Sequence, residues 1–229
     1  MEKVKNQKNK TNPSDLKKQR DVVNFFCDIQ GTIDGLFHAD KEERQKFFDK
    51  LKKFSDEVDL NMVLVTMYGD ERIQEFKRLF MIFEQFGMKD VLHGVQGDGI
   101  FVNSNSEKIC DKCFSSKVGM VLNYEEKHDK DTDGVKYVIY AGDSEIDKAM
   151  IDYHVRGTYY RKSNGCYYIN SNRGSDLKFN DGNINEANQE NLESMNYTAI
   201  INSLDCVLEH YQSLVNKESQ KQTDPKSVL

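Results

Sequence analysis

Long hydrophobic runs are missing from this 229-residue chain. No apolar stretch approaches the roughly 18 residues a membrane span requires, and none near Met1 has the form of a signal peptide. A cysteine framework is missing as well. Cys27, Cys110, Cys113, Cys166 and Cys206 are odd in number and scattered, unlike the paired spacing of a disulfide scaffold. These two absences give the expectation of a soluble protein in a reducing, cytoplasmic setting. Positive charge is not in excess either: 32 Lys and Arg stand against 38 Asp and Glu, a formal charge of −6, so neither a nucleic acid nor a membrane surface is an expected partner. No internal repeat is visible. What remains is ordinary globular material, 38% hydrophobic, enough for one domain with a real core.

The ends read differently from the middle. Residues 1–20 carry seven Lys or Arg against Glu2 and Asp15 and have almost no apolar side chains, the composition of a disordered basic tail. Residues 216–229 are also polar and are expected to be a disordered tail, which leaves one domain over 21–215. Within it, VVNFFC (22–27), NMVLVT (61–66) and KYVIYA (136–141) are short apolar runs rich in β-branched or aromatic residues, the pattern of strands buried on both faces. HVRGTYY (154–160) is a weaker fourth. Between them, apolar residues recur at three- and four-residue spacing: Phe47, Phe48, Leu51 and Phe54; then Ile73, Phe76, Leu79, Phe80 and Phe83; then Val118, Val121 and Leu122. Strand and helix signals that alternate predict an α/β, Rossmann-like three-layer sandwich around a mostly parallel sheet. The polar stretch 161–196, rich in Asn, Gly and Ser, reads as a solvated insertion with a β-hairpin around GCYYIN.

In parallel sheets, functional groups gather at the carboxyl ends of the strands. The first strand ends in Asp28 and a turn with Gln30, Gly31 and Thr32. The second ends in Thr66, and the third runs into AGDSEID, with Asp143 and Asp147 four residues apart. Three strands thus each deliver an oxygen ligand. Asp28 and Asp143 can converge on a hard divalent cation such as Mg²⁺, which takes one or two carboxylates, a backbone carbonyl, waters and substrate phosphate. Asp147, one helical turn beyond Asp143, points back to the same edge. The amides of the Asp28 to Thr32 turn can bind phosphate oxygens.

DIQGTI, VLVT and AGDSEIDKAMI, in this order and each tied to a buried strand, resemble motifs I, II and IV of the haloacid dehalogenase-like superfamily, over roughly residues 21–160. The last is close to the GDSxND pattern of that superfamily's Cof-type sugar phosphatases, with Ile146 where asparagine is usual. The resemblance implies a Mg²⁺-dependent phosphatase or phosphotransferase. In it Asp28 is the nucleophile, Thr66 binds the phosphoryl group, and Asp28, Asp143 and the Gln30 carbonyl hold the metal. Gly31, Thr32, Gly142, Ser144 and Asp147 support the site. The same resemblance requires a motif III lysine on a helix before the third strand; Lys117 fits best, with Lys112 and Lys127 as competitors. The expected substrate is a phosphorylated small molecule or macromolecule.

Gln30 departs from that pattern. In the phosphatases of the superfamily this position holds a second aspartate that protonates the leaving group and then activates water, and a glutamine side chain can do neither. A group of that kind is typically worth ~10²–10⁴-fold in rate. Two readings follow: an enzyme of reduced hydrolytic power, or a catalytically impaired relative that binds a phosphorylated ligand or a protein partner. There is also no room for an independent cap domain between the motifs. An open site suits a macromolecular phosphoester, or a small substrate covered by another subunit of an oligomer. Cys110 and Cys113 have CxxC spacing, but no second pair or nearby histidine completes a metal site, so the spacing reads as coincidence. The five histidines are scattered and none is assigned to the site.

Overall fold

The computed structural model describes residues 20–128, 135–144, 146, 147, 149, 165–171, 176–180, 184–188 and 197–223. The N-terminal tail expected over 1–20, apart from Arg20, and the strand expected at 154–160 lie outside these residues. Among the described residues nine strands form one sheet: β1 (Val22–Asp28), β2 (Asp59–Val65), β3 (Leu92–Gly97), β4 (Ile100–Asn103), β5 (Lys108–Cys110), β6 (Val135–Gly142), β7 (Gly165–Asn170), β8 (Asp176–Asn180) and β9 (Ile184–Asn188). Their spatial order is β5-β4-β3-β2-β1-β6-β7-β8-β9. The run β3-β2-β1-β6-β7 is parallel, and each side of it is extended by two antiparallel strands. This is the α/β class with a mostly parallel centre, as the alternation of signals predicts.

The central strands are apolar on both faces because both faces are covered. Along β1, Val23, Phe25 and Cys27 point into one core while Phe26 points into the other. β2 repeats the alternation with Met62 and Leu64 against Val63 and Val65, and β6 with Tyr137 and Ile139 against Val138 and Tyr140. Period-two side-chain alternation therefore feeds two separate cores. The larger core is closed by α1 (Lys41–Glu57), α2 (Ile73–Gln85) and α4 (Tyr197–Thr223), through residues such as Phe47, Phe83 and Leu204. The smaller is closed by α3 (Lys117–His128), through Met120, Val121 and Tyr124. Helices on both faces of the sheet make a three-layer arrangement.

α1 begins sharply because Asp40 accepts a hydrogen bond from the Glu43 backbone amide at 2.9 Å while the Glu43 carboxylate accepts one from the Asp40 amide at 3.1 Å, a reciprocal cap that satisfies two amides at the helix start.

Two boundaries differ from the sequence reading. GCYYIN does pair with β8 as a hairpin, but it is also the parallel partner of β6, with Tyr167 and Ile169 in the larger core and Tyr168 in the smaller. This part of the stretch 161–196 is thus sheet, not solvated insertion. The polar composition around it hides that this strand of the expected hairpin belongs to the central sheet. At the other end, α4 continues to Thr223, past residue 216 where a disordered tail was expected; its polar last turns are a helix continuing from an apolar start, and residues 224–229 lie outside those described.

Candidate functional site

β2, β1 and β6 are adjacent, so their carboxyl ends present Thr66, Asp28 and Asp143 along one edge of the sheet. Asp28 closes β1, Thr66 follows β2, and Asp143 follows β6, with Asp147 in the helical residues that come next. Carboxylate oxygens of Asp28, Asp143 and Asp147 lie within 4.8 Å of one another. Lys117, the first residue of α3, brings a cation to the same place: its Nζ is 2.6 Å from Asp28 Oδ1 and 2.5 Å from Asp147 Oδ1. The other two candidate lysines are elsewhere. Lys127 pairs with Asp111 at 2.6 Å, and Lys112 is exposed.

Asp147 is fully committed. Its Oδ1 takes the Lys117 hydrogen bond, while its Oδ2 accepts from Ser144 Oγ at 2.6 Å and from the Ser144 amide at 3.1 Å. It orients Lys117 and closes the turn after β6. Asp28 is the opposite case. Its side chain is 2% exposed, and Oδ1 meets the Lys117 ammonium as an ion contact without hydrogen-bond geometry, so that this buried oxygen lacks a hydrogen-bond partner. A buried carboxylate oxygen left in that state is costly, and an additional cation would relieve it.

Electrostatics point the same way. Burial pushes the Asp28 carboxyl up to about 7; Lys117 opposes that rise and Asp147 adds to it. Burial, reinforced by the Asp147 charge, also raises the Asp143 carboxyl. Lys117 is pulled down by its own burial, but Asp28 and Asp147 outweigh this and hold it above its ordinary value, as an ammonium ion. One ammonium among three carboxylates leaves a negative excess in a low-dielectric place. An all-oxygen set of this kind fits a hard divalent cation better than a soft one.

Close backbone approach makes the cluster possible. Gly31 adopts a φ of +70°, and a Cβ added there would lie 2.3 Å from Asp143 Oδ2. At Gly142 an added Cβ would lie 2.3 Å from Asp147 Cβ. Both glycines are therefore fixed by the acids packed against their backbone.

Gln30 is half-buried, and its Oε1 accepts a hydrogen bond from Thr66 Oγ1 at 2.8 Å. Thr66 Oγ1 in turn accepts from the Tyr68 amide at 3.2 Å. The side chain that replaces an acid is thus anchored across to the end of β2, with its amide nitrogen as the remaining polar atom.

Two residues not singled out in the sequence complete the frame. Ser171, just past β7, donates its hydroxyl to the Gly31 carbonyl at 3.0 Å, lies 3.0 Å from Thr32 Oγ1, and donates its amide to the Gly142 carbonyl at 2.9 Å. It ties the turn after β1 to the end of β6. Tyr168 donates its hydroxyl toward the Gly142 and Ser144 carbonyls at 3.4 and 3.3 Å. The available signal was positional: Ser171 stands at the carboxyl end of a strand, as Asp28, Thr66 and Asp143 do.

The remaining candidates stay apart from this cluster. Cys110 and Cys113 are free, exposed thiols. His93 pairs with the Tyr124 hydroxyl at 2.7 Å, His210 with that of Tyr167 at 3.1 Å, and His38 is exposed. No helix among the described residues is long and apolar enough to cross a membrane. No family model matches the chain, and no curated protein and no solved structure matches it.

Proposed function

We propose that this chain is a haloacid dehalogenase-like, Mg²⁺-dependent phosphoryl-transfer enzyme that works through an aspartyl-phosphate on Asp28. The observation that carries the reading is the Lys117 ammonium held between Asp28 and Asp147, with Asp143 in the same 4.8 Å group, at the carboxyl edge of parallel strands. An aspartate can attack phosphorus and divide a difficult hydrolysis into two displacements. Attack brings two anions together, and a fixed ammonium stabilises the charge that spreads over the phosphoryl oxygens. Lys117 has that role, and Asp147 is its positioning residue. Thr66 and the amides of the turn after Asp28 bind phosphoryl oxygens. Mg²⁺, held by Asp28, Asp143 and the Gln30 carbonyl, would supply the further neutralising charge the three carboxylates require.

The experiment is to mix the protein with Mg²⁺ and acetyl phosphate, quench in acid and identify the modified peptide by mass spectrometry, with Asp28→Asn as the blank. Phosphate on the peptide containing Asp28 is expected. Its absence, or equal label on the blank, removes the nucleophile assignment.

A second reading is favoured by one observation, the engagement of Gln30 with Thr66. A site that lacks a side-chain acid at this position suits a catalytically impaired protein that binds a phosphorylated ligand or a protein partner. Gln30→Asp separates the two. In an enzyme it restores a proton donor and raises kcat/KM on alkyl phosphates by up to ~10²-fold, with little gain on aryl phosphates. In a binding protein it changes neither.

A further inference from the structure

Five large hydrophobic side chains are exposed among the described residues, and three of them belong to the segments that directly follow β2 and β6 at the proposed active edge. Met67 and Tyr68, 41% and 40% exposed, directly follow Thr66; Ile146, 59% exposed, lies between Asp143 and Asp147. Exposed apolar residues scattered singly need no explanation, but a set gathered just past the strand ends of one site does. Because β2 and β6 are the two neighbours of β1, the segments bearing these side chains, a loop after β2 and the start of a helix after β6, flank the end of β1 from opposite sides. Two strand spacings separate them, roughly 10 Å, a gap wide enough for a six-membered ring. Tyr68 is held in place. Its amide donates to Thr66 Oγ1, its carbonyl accepts from the Asp98 amide at 3.1 Å, and the Arg72 guanidinium stacks 4.8 Å from its ring centre. Arg72 is itself paired with Glu75. An ordered aromatic ring beside a phosphoryl site is a surface for another ring.

The second observation is independent of the rim. Thr66 Oγ1, which accepts from the Tyr68 amide, donates to Gln30 Oε1, and in this arrangement the Gln30 amide nitrogen is turned away from Thr66. The Gln30 Nε2 is then available as a hydrogen-bond donor. It can stabilise negative charge on an oxygen but cannot transfer a proton to it.

Together, the geometry points to aryl phosphate monoesters as the substrate class, with Met67, Tyr68 and Ile146 as specificity-determining residues and Gln30 as a donor to the departing aryl oxygen. This rests on the phosphoryl-transfer reading above. In the step, an Asp28 carboxylate oxygen forms the new bond to phosphorus and the bond from phosphorus to the aryl oxygen breaks. The electron pair leaves with the aryloxide, which is stable enough to depart unprotonated and takes its proton from water. A second water then hydrolyses the aspartyl-phosphate. An alkoxide could not leave this way, so the donor-only Gln30 and the apolar rim select the same leaving group.

The test compares phenyl phosphate with acetyl phosphate, whose leaving group is also acidic but carries no ring, in the parent, Tyr68→Ala and Ile146→Ser. Both residue changes are at exposed positions, and circular dichroism verifies the fold. The ratio of kcat/KM on phenyl phosphate to that on acetyl phosphate is expected to fall about 10-fold in each variant, the size of one lost apolar contact in a binding pocket. A phosphotyrosyl peptide run beside phenyl phosphate distinguishes a protein-borne ring from a free one; turnover of either supports the proposal. If the parent is labelled on Asp28 by acetyl phosphate but the ratio is unchanged in both variants, the rim assignment is overturned while the phosphoryl-transfer reading stands. If neither substrate labels Asp28 in the parent, both fall.

Discussion

Lys50 and Lys53 on α1 both reach Asp205 on α4, and Lys117 on α3 reaches both Asp28 and Asp147. The ingredients are the same and the surroundings are opposite. In the first group the lysine side chains are 37% and 60% exposed and the aspartate 31%; in the second the lysine is 8% exposed and the acids 2% and 0%. The first carries an excess of positive charge that water screens at little cost, and it contributes about what any surface contact does. The second carries an excess of negative charge where screening is poor, and Asp143 adds to it. A fold has no stability reason to bury such a group. The difference separates a clasp between two helices from a buried acidic cluster at the edge of the sheet.

The comparison breaks first at its cation. Lys117→Met leaves Asp28 and Asp147 facing each other without an ammonium, and the rate of Asp28 phosphorylation should drop by roughly 10²–10³, the usual effect of removing one preorganised transition-state donor. Rapid-quench labelling measures it. A change below a factor of three would mean that the buried triad is structural, like the exposed one.

The buried group should also set a pH dependence that the surface group cannot. The Asp28 carboxyl titrates near 3.8 when unfolded and is pushed up to about 7 in the fold, so between those values the folded state holds more protons than the unfolded state. Stability in metal-free buffer therefore falls as pH rises from about 4 to about 7, by roughly 3–4 kcal/mol for this one group. Asp28→Asn should lack that part of the slope. Urea melts of both proteins at several pH values decide, and parallel curves would refute the assignment.

Mg²⁺ sharpens the contrast further. At about ten times its dissociation constant it should stabilise the parent by roughly 1.4 kcal/mol, while Asp143→Asn, which keeps the Lys117 triad but loses a ligand, should show little response. A thermal shift of the same size in both proteins would place the ion elsewhere. The smallest effect belongs to the exposed clasp: Asp205→Ala should move Tm by no more than roughly 2–4 °C and leave labelling of Asp28 unchanged.

The centre of the molecule was legible because its signals are local. β1, β2 and β6 are apolar runs that stop at an oxygen-bearing residue, and the apolar spacing on α1, α2 and α3 is helical. A strand that ends at the same sheet edge as its neighbours brings its last residue with it, so Asp28, Thr66 and Asp143 could be grouped before their distances were known. Lys117 was harder. Three lysines in and around one helix look alike in sequence, and only the packing of Met120 and Tyr124 on the sheet decides which of them faces Asp28. The hairpin of β7 is legible, but its place beside β6 is not, because that pairing is a non-local choice and its aromatic residues sit among Asn, Gly and Ser. Ser171 was lost with it. The bond between Gln30 and Thr66 had no local signal at all, since it joins the turn after one strand to the end of another.

The place of β1 in the sheet has a consequence for how the chain reaches this state. The first strand in sequence is the middle strand in space, with β2 on one side and β6 on the other. A nascent chain can close β1 against β2 early, but the opposite edge must wait until residues beyond 135 have been made, and the Ser171 tie until later still. Contacts so distant in sequence carry a loop-closure cost before they return any stability, and they slow folding. For that interval a strand edge next to Asp28 is open to any other extended segment, including the same strand of a neighbouring chain. The order of synthesis therefore completes this edge of the sheet only after Ser171 has been made, with α4 alone left to join the larger core.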